Sequence, residues 1–343
     1  MFFVQRKWIA TLFVVLLFLV GCRNEEEVTK VEPPVGSGDN PVSEEEVPFK
    51  FPLTGIETDM EPNDRSVAVI INNHPQARPQ SGLLQADLVY EILAEGNVTR
   101  FLAIYASEKP EVVGPVRSAR DYYIDIAKGY DSLFIAHGYS PIAKQMLDSG
   151  YIDHLNGIQY DGTLFKRASF RVAPHNSYIT FENIKKGAES KNYNLNQVPP
   201  SLLFLDKEEI EVLPGVEAGA VMVSYGNSSF DVQYIFSHAD FKYQRSSAGA
   251  VTVDFETEDA ILLDNILIVE AEHKVLDHAG RREIDIVSGG RGYLLQQGKL
   301  NEVEWKNVDG RISAFSNENE VKLVPGKTWI NIVPSLEQVS MLD

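Results

Sequence analysis

The sequence predicts an α/β N-terminal domain followed by a β-rich, mainly antiparallel C-terminal domain. Up to about residue 198, β-branched apolar runs alternate with helical periods, the pattern of an α/β domain. After residue 217 the apolar runs are short, separated by glycine, Asp-Gly or Asn-rich turns, and no long helical period follows. The expected spans are 51–198 and 199–343, joined at Asn196–Ser201 with its Pro199-Pro200 pair. Hydrophobic residues make up 44% and charged residues 23% of the chain, ordinary for a globular protein.

Residues 1–21 have the layout of a lipoprotein signal. Arg6 and Lys7 form a positive start, Trp8–Val20 an apolar core, and Leu19-Val20-Gly21 precedes Cys22. The run is short for a spanning helix, which needs about 20 apolar residues. Cys22 is the only cysteine among 343 residues and stands where such a signal requires a lipid acceptor. The expectation is a chain that begins at Cys22, lipid-anchored at the extracytoplasmic face of the cell membrane. With Cys22 used, no thiol remains for a disulfide, a Cys–His pair or a thiolate metal site.

Residues 22–50 read as the lipidated cysteine and a disordered acidic linker. Arg23–Lys50 holds eight acidic and three basic residues and almost no large apolar one. Such a stretch cannot bury enough surface to offset its ordering entropy. A 28-residue flexible coil spans about 30 Å, enough to hold a folded body above a membrane.

In the first domain Val67–Ile71, Thr99–Ala106 and Leu133–Ala136 read as buried strands, and Ser118–Gly129, Ser140–Ser149 and Phe181–Lys191 as helices. Ser140 is a suitable N-cap, with Pro141 at the first helical position. In the second domain Ala220–Tyr225, Asp231–Phe236, Ala250–Phe255, Ile261–Val269, Gly292–Gln296 and Trp329–Val333 read as strands. Gly289-Gly290-Arg291-Gly292 reads as a hairpin turn, not a nucleotide loop, because no GxGxxG opens a helix there.

Asp87, Glu91 and Glu95 recur every four residues. The flanking alternation of Leu88, Tyr90, Ile92 and Ala94 favours a strand, which would set these carboxylates about 13 Å apart on one face. They would form no close acid–base dyad. Glu91, amid apolar neighbours, is the one expected to face a pocket; the other reading is an exposed acidic face.

Charge is unevenly spread. Formal net charge is −18, or −20 without Arg6 and Lys7, which argues against nucleic-acid binding. Residues 97–175 nevertheless carry nine basic and eight acidic groups. Arg100, Arg117, Arg120, Arg167 and Arg171 fall in this stretch, with His137 and His175 beside turn formers. A locally basic region in an acidic surface focuses anions, and arginine forks suit carboxylate or phosphate. The competing reading pairs these arginines with the acids of the same stretch. No cofactor motif appears. His273 and His278 lack an evident third metal ligand, and Ser140 in HGYS sits in no GxSxG elbow.

The runs NHPQARPQSGLLQADLVYE, GPVRSAR and VAPHN, with the late PGKTWINIVP, resemble the YerB-like bacterial lipoproteins over about residues 51–335. The resemblance implies a two-part body and supplies no established reaction. Its matching positions are Asn73, His74, Arg78, Pro79, Glu91, Thr99, Arg100, Arg117, Arg120, His137, Arg171, His175 and Asn176. Where many such proteins have Gly-Gly after the VYE strand, this chain has Gly96-Asn97, and asparagine tolerates a left-handed turn.

Two functions follow as expectations. The first is a lipoprotein, an envelope assembly factor among the options, that binds an anionic cell-wall polymer or envelope protein. Arg100, Arg117, Arg120, Arg171, Asn176 and His74 would bind the ligand. The second is an enzyme that cleaves or transfers cell-wall glycan, with Glu91 as general acid and His137 or His175 as base or orienter.

Overall fold

The computed structural model describes residues 48–342. The signal, Cys22 and nearly all of the acidic linker lie outside the described residues. Among these, a twelve-stranded sheet forms the backbone of the molecule. From one edge its order is Asn319–Glu320, Arg311–Ser316, Lys299–Val308, Gly290–Gln296, Asn265–Glu270, Thr328–Val333, Leu88–Glu95, Val98–Tyr105, Val67–Asn72, Leu133–Ala136 and His154–Asn156. Val216–Glu217 adds to Lys299–Val308 off this path.

The two halves of the chain share this sheet. Thr328–Val333 lies parallel both to Asn265–Glu270 and to Leu88–Glu95, with Trp329 opposite Val89 and Asn331 opposite Glu91. Residues on either side of the 198/199 division therefore hydrogen-bond edge to edge. Parallel pairing also joins Val67–Asn72, Leu133–Ala136 and His154–Asn156, while the remaining pairs of the large sheet are antiparallel.

Both faces of the sheet are covered, as near-continuous apolar strands require. Val89, Leu93, Phe101 and Trp329 face one core with Val221, Val223, Tyr225, Tyr234 and Tyr243, contributed by a second, six-stranded antiparallel sheet and its loops. Leu88, Tyr90, Ile92, Leu102 and Ile330 face the other core, with the helices Asp121–Gly129 and Pro141–Asp148. Tyr122 and Tyr123 tie the first helix to the sheet by donating to the carbonyls of Leu93 (2.8 Å) and Ile92 (2.9 Å).

The local signals behave as their chemistry dictates. Ser140 caps its helix by accepting from the Ala143 amide at 3.2 Å, and Pro141 holds the first position. The expected helix Ser118–Gly129 begins only at Asp121, because Ser118–Arg120 stays extended and bonds to the loop after Leu133–Ala136. Ala250–Phe255 gives only the two-residue strand Ala250–Val251. Gly290 and Gly292 are strand residues, not turn residues. A Cβ on Gly292 would fall 2.7 Å from the Ile268 carbonyl, and one on Gly290 2.8 Å from Trp305 Nε1. These glycines serve close backbone approach.

Candidate functional site

Asp87 and Glu91 do not form an exposed acidic face. Asp87 is buried and accepts from the amides of Ala106 (2.6 Å) and Ser107 (2.9 Å). Glu91 is 0% exposed. Its Oε1 accepts from Asn73 (3.1 Å) and Thr99 (3.0 Å), and its Oε2 from Arg245 (2.7 Å) and Trp329 Nε1 (3.2 Å). None of these donors is His137 or His175. The Arg245 guanidinium lies 4.5 Å from the Trp329 ring centre and 5.3 Å from that of Phe101. Glu91 thus anchors a buried ion pair between the two sheets.

The five arginines divide. Arg100 grips Glu95 through both carboxylate oxygens, at 2.8 and 2.6 Å, and Arg120 pairs with the same carboxylate. Both are buried, and each also donates to a carbonyl, Ser118 for Arg100 and Ala119 for Arg120. The hairpin of Leu88–Glu95 and Val98–Tyr105 supplies this geometry. Arg167 pairs with Asp161 at 2.9 Å. Arg117 and Arg171 have no carboxylate partner among the described residues.

Arg117 is the centre of the second group. It sits in the extended segment after Val116, whose bridge to Ile71 places it at the end of strand Val67–Asn72. Among the described residues its Nη1 reaches only the Pro174 carbonyl, at 3.4 Å, and its buried Nε has no partner. Burial, then the nearby Arg100 charge, lowers its pKa to about 10. Arg117 also depresses His74, His137 and His175, each of which is lowered first by burial. One unpaired guanidinium therefore lies within electrostatic reach of three imidazoles.

His74 and His175 stack, with ring centres 4.6 Å apart. Asn72 fixes both: its Oδ1 accepts from the His74 amide (3.0 Å) and its Nδ2 contacts His175 Nδ1 (2.8 Å). His74 Nδ1 accepts from the Gln76 amide at 3.2 Å, capping the short turn Pro75–Ala77. With Nδ1 the acceptor in each ring, the neutral histidines carry their proton on Nε2.

His137 is held differently. Arg167 donates to its Nε2 at 3.0 Å, and its Nδ1 meets Ser177 Oγ at 2.7 Å. Arg167 also reaches Asn176 Oδ1 at 3.2 Å. The pairing of Phe165–Arg167 with Ser177–Thr180 puts Arg167 opposite Ser177 and so builds this chain. Arg171 donates to the Pro79 carbonyl and lies over the rings of Phe170 and Phe255.

Three separated sequence runs thus meet: 72–80, 114–120 and 167–177. The N-terminal domain profile of a "Protein of unknown function (DUF3048)" family matches residues 53–194, and the C-terminal domain profile of that family matches 221–330. Over 98% of its length the chain is 45% identical to "Putative lipoprotein YerB" of Bacillus subtilis (strain 168), covering 98% of that protein. The chain belongs to the YerB-like family. A crystal structure of the YerB protein from Bacillus subtilis matches with a TM-score of 0.81 at 48% identity, covering 86% of this chain and 99% of that one. The YerB-like fold therefore extends over both halves and includes the three runs around Arg117.

Sequence reasoning missed Arg245 and left Arg78 out of the site. A signal for Arg245 was present: in Lys242–Ser247 the period of two places it on the same side as the apolar Tyr243.

Proposed function

We propose that this is a lipid-anchored lipoprotein of the extracytoplasmic face of the cell membrane that binds an anionic envelope ligand at Arg117, His74 and His175. The anchor rests on the LVGC site at Leu19–Cys22 and on the name of the Bacillus subtilis relative. The ligand site rests on one observation: Arg117 is half-buried beside three histidines and, among the described residues, no carboxylate pairs with it. A partly desolvated guanidinium without a counter-ion is costly, and a bound carboxylate or phosphate would offset that cost through charge-assisted hydrogen bonds. Candidate ligands are a peptidoglycan stem carboxylate, a teichoic phosphate or an acidic protein tail.

Retention on purified wall fragments tests the site. Arg117→Lys keeps the charge but loses the planar fork. It should weaken retention by about tenfold, the equivalent of about 1.4 kcal/mol, with little change in melting temperature. Normal retention together with a lower melting temperature would make Arg117 scaffold and overturn this reading. Release of new glycan products by the wild type would favour the cleaving alternative instead. For the anchor, a palmitate analogue should label wild-type cells and not the Cys22→Ser variant, since serine cannot form the thioether. Equal labelling would remove the anchor from the proposal.

A further inference from the structure

A second pair of arginines, Arg78 and Arg245, lines a cavity whose walls include none of Arg117, His74 and His175. Asn73, Arg78, Pro79 and Gln80 from the first half, with Arg245, Ser247 and the Ala250–Val253 segment from the second, line a cavity of about 250 Å³. We propose that this cavity binds a small monocarboxylate bearing a short apolar group.

Three observations point there. The first is unused hydrogen-bonding capacity. Arg78 Nη2, Arg245 Nε and Ser247 Oγ are all buried, and among the described residues none has a hydrogen-bond partner. The Arg78 guanidinium also meets the aromatic face of Phe230, and that of Arg245 the faces of Phe101 and Trp329. Arg245 as a whole is 1% exposed and Ser247 5%. Buried donors are ordinarily satisfied, so three without a hydrogen bond, all on residues that line one cavity, need an explanation.

The second is charge. Arg245 is matched by Glu91. Arg78 has no carboxylate partner among the described residues; its Nε donates only to Asn73, at the carbonyl (3.1 Å) and Oδ1 (2.9 Å). Arg78, Arg245 and Glu91 therefore sum to one uncompensated positive charge. A single negative charge balances it, which favours a carboxylate over a phosphate dianion.

The third is shape and lining. Pro79, Ala250, Val251 and Val253 supply apolar wall. The volume exceeds the roughly 150 Å³ that accommodates benzene in an apolar protein cavity. There is room for a carboxylate with a small apolar body, and the walls favour one.

The test titrates the full-length protein, in detergent micelles, with N-acetylalanine, its uncharged amide and inorganic phosphate, followed by calorimetry and NMR. N-acetylalanine should bind, the amide should bind at least about tenfold more weakly, and phosphate should not compete; tenfold corresponds to losing one charge-assisted bond. Arg78→Gln should weaken N-acetylalanine binding by a similar factor. Ser247→Ala, which leaves both guanidinium groups in place, should weaken it by a smaller but measurable factor. Arg117→Lys should leave it unchanged, which separates this site from the one around His74 and His175. Equal binding of acid and amide, no binding of either, or stronger binding of phosphate would overturn the proposal. So would unchanged binding in both Arg78→Gln and Ser247→Ala.

Discussion

Glu91 and Arg117 show how far a residue's type determines its use. Both stood out in the sequence as charged groups in apolar or loop surroundings. Glu91 has an arginine against it and both carboxylate oxygens engaged, while Arg117 has no carboxylate against it among the described residues. The difference lies in partners that are distant in sequence, and these cannot be read from local pattern. Arg245 is 154 residues from Glu91. Arg100 and Arg120 illustrate the same limit at short range: their partner, Glu95, lies just outside the 97–175 stretch whose charges nearly cancel. Glu91→Gln should destabilise the protein by about 3–5 kcal/mol, because it leaves Arg245 buried without a counter-charge. Glu91→Leu combined with Arg245→Met should cost less than the single change, since it removes both charges from the core. Denaturant melts decide this; a loss under about 1 kcal/mol for Glu91→Gln would mean that the ion pair is not what holds Arg245 in place.

At the scale of elements, the strands with β-branched runs, the capped helix Pro141–Asp148 and the β-rich second half were all legible, because each depends on neighbours within a few residues. The junction of Thr328–Val333 with Leu88–Glu95 was not legible, since parallel pairing over more than 200 residues leaves no local mark. The two glycines read as a turn failed for a related reason: the atoms they make room for belong to other strands. Gly157, which opens the short helix Gly157–Tyr160, is a third such case. A Cβ there would fall 2.2 Å from His137 Nδ1, on the ring that Ser177 and Arg167 hold. Gly157→Ala should therefore displace His137, at a cost of about 1–3 kcal/mol from overpacking. NMR of the histidine rings should show the His137 resonance moving, with His74 and His175 much less affected. An unmoved His137 signal would show that helix Gly157–Tyr160 yields in its place.

At the scale of the whole molecule, acid should pull stability and ligand binding in opposite directions. His74, His137, His175 and His273 all have pKa values below the ordinary 6.5, with burial the first cause in each. His273 is the extreme, at about 4; its Nδ1 bonds the Ala271 carbonyl and its buried Nε2 has no partner among the described residues, so a proton there finds no acceptor among them. For a depressed histidine the unfolded chain takes up protons first. The stability it contributes is complete above about pH 6.5 and is lost as pH falls toward the folded value. For His273 alone the loss is at most about 3 kcal/mol by pH 4. Asp87, Asp121, Asp125 and Asp264 act with the opposite sign: burial raises them, so they bind protons earlier in the folded state and oppose the loss at lower pH. The melting temperature should therefore decline from about pH 6.5 to 5, and His273→Gln should flatten that decline. An anion on Arg117 reverses the balance locally. Its charge favours the protonated forms of His74 and His175, which take up their second proton on Nδ1 at the expense of the Gln76 and Asn72 contacts, while the Nε2–H of each ring stays free to donate to the anion. Retention on wall fragments should thus strengthen over the same interval in which the fold weakens, with proton uptake on binding visible as a buffer-dependent calorimetric enthalpy. Retention that weakens in parallel with the melting temperature, with no proton uptake, would separate the two histidines from the ligand.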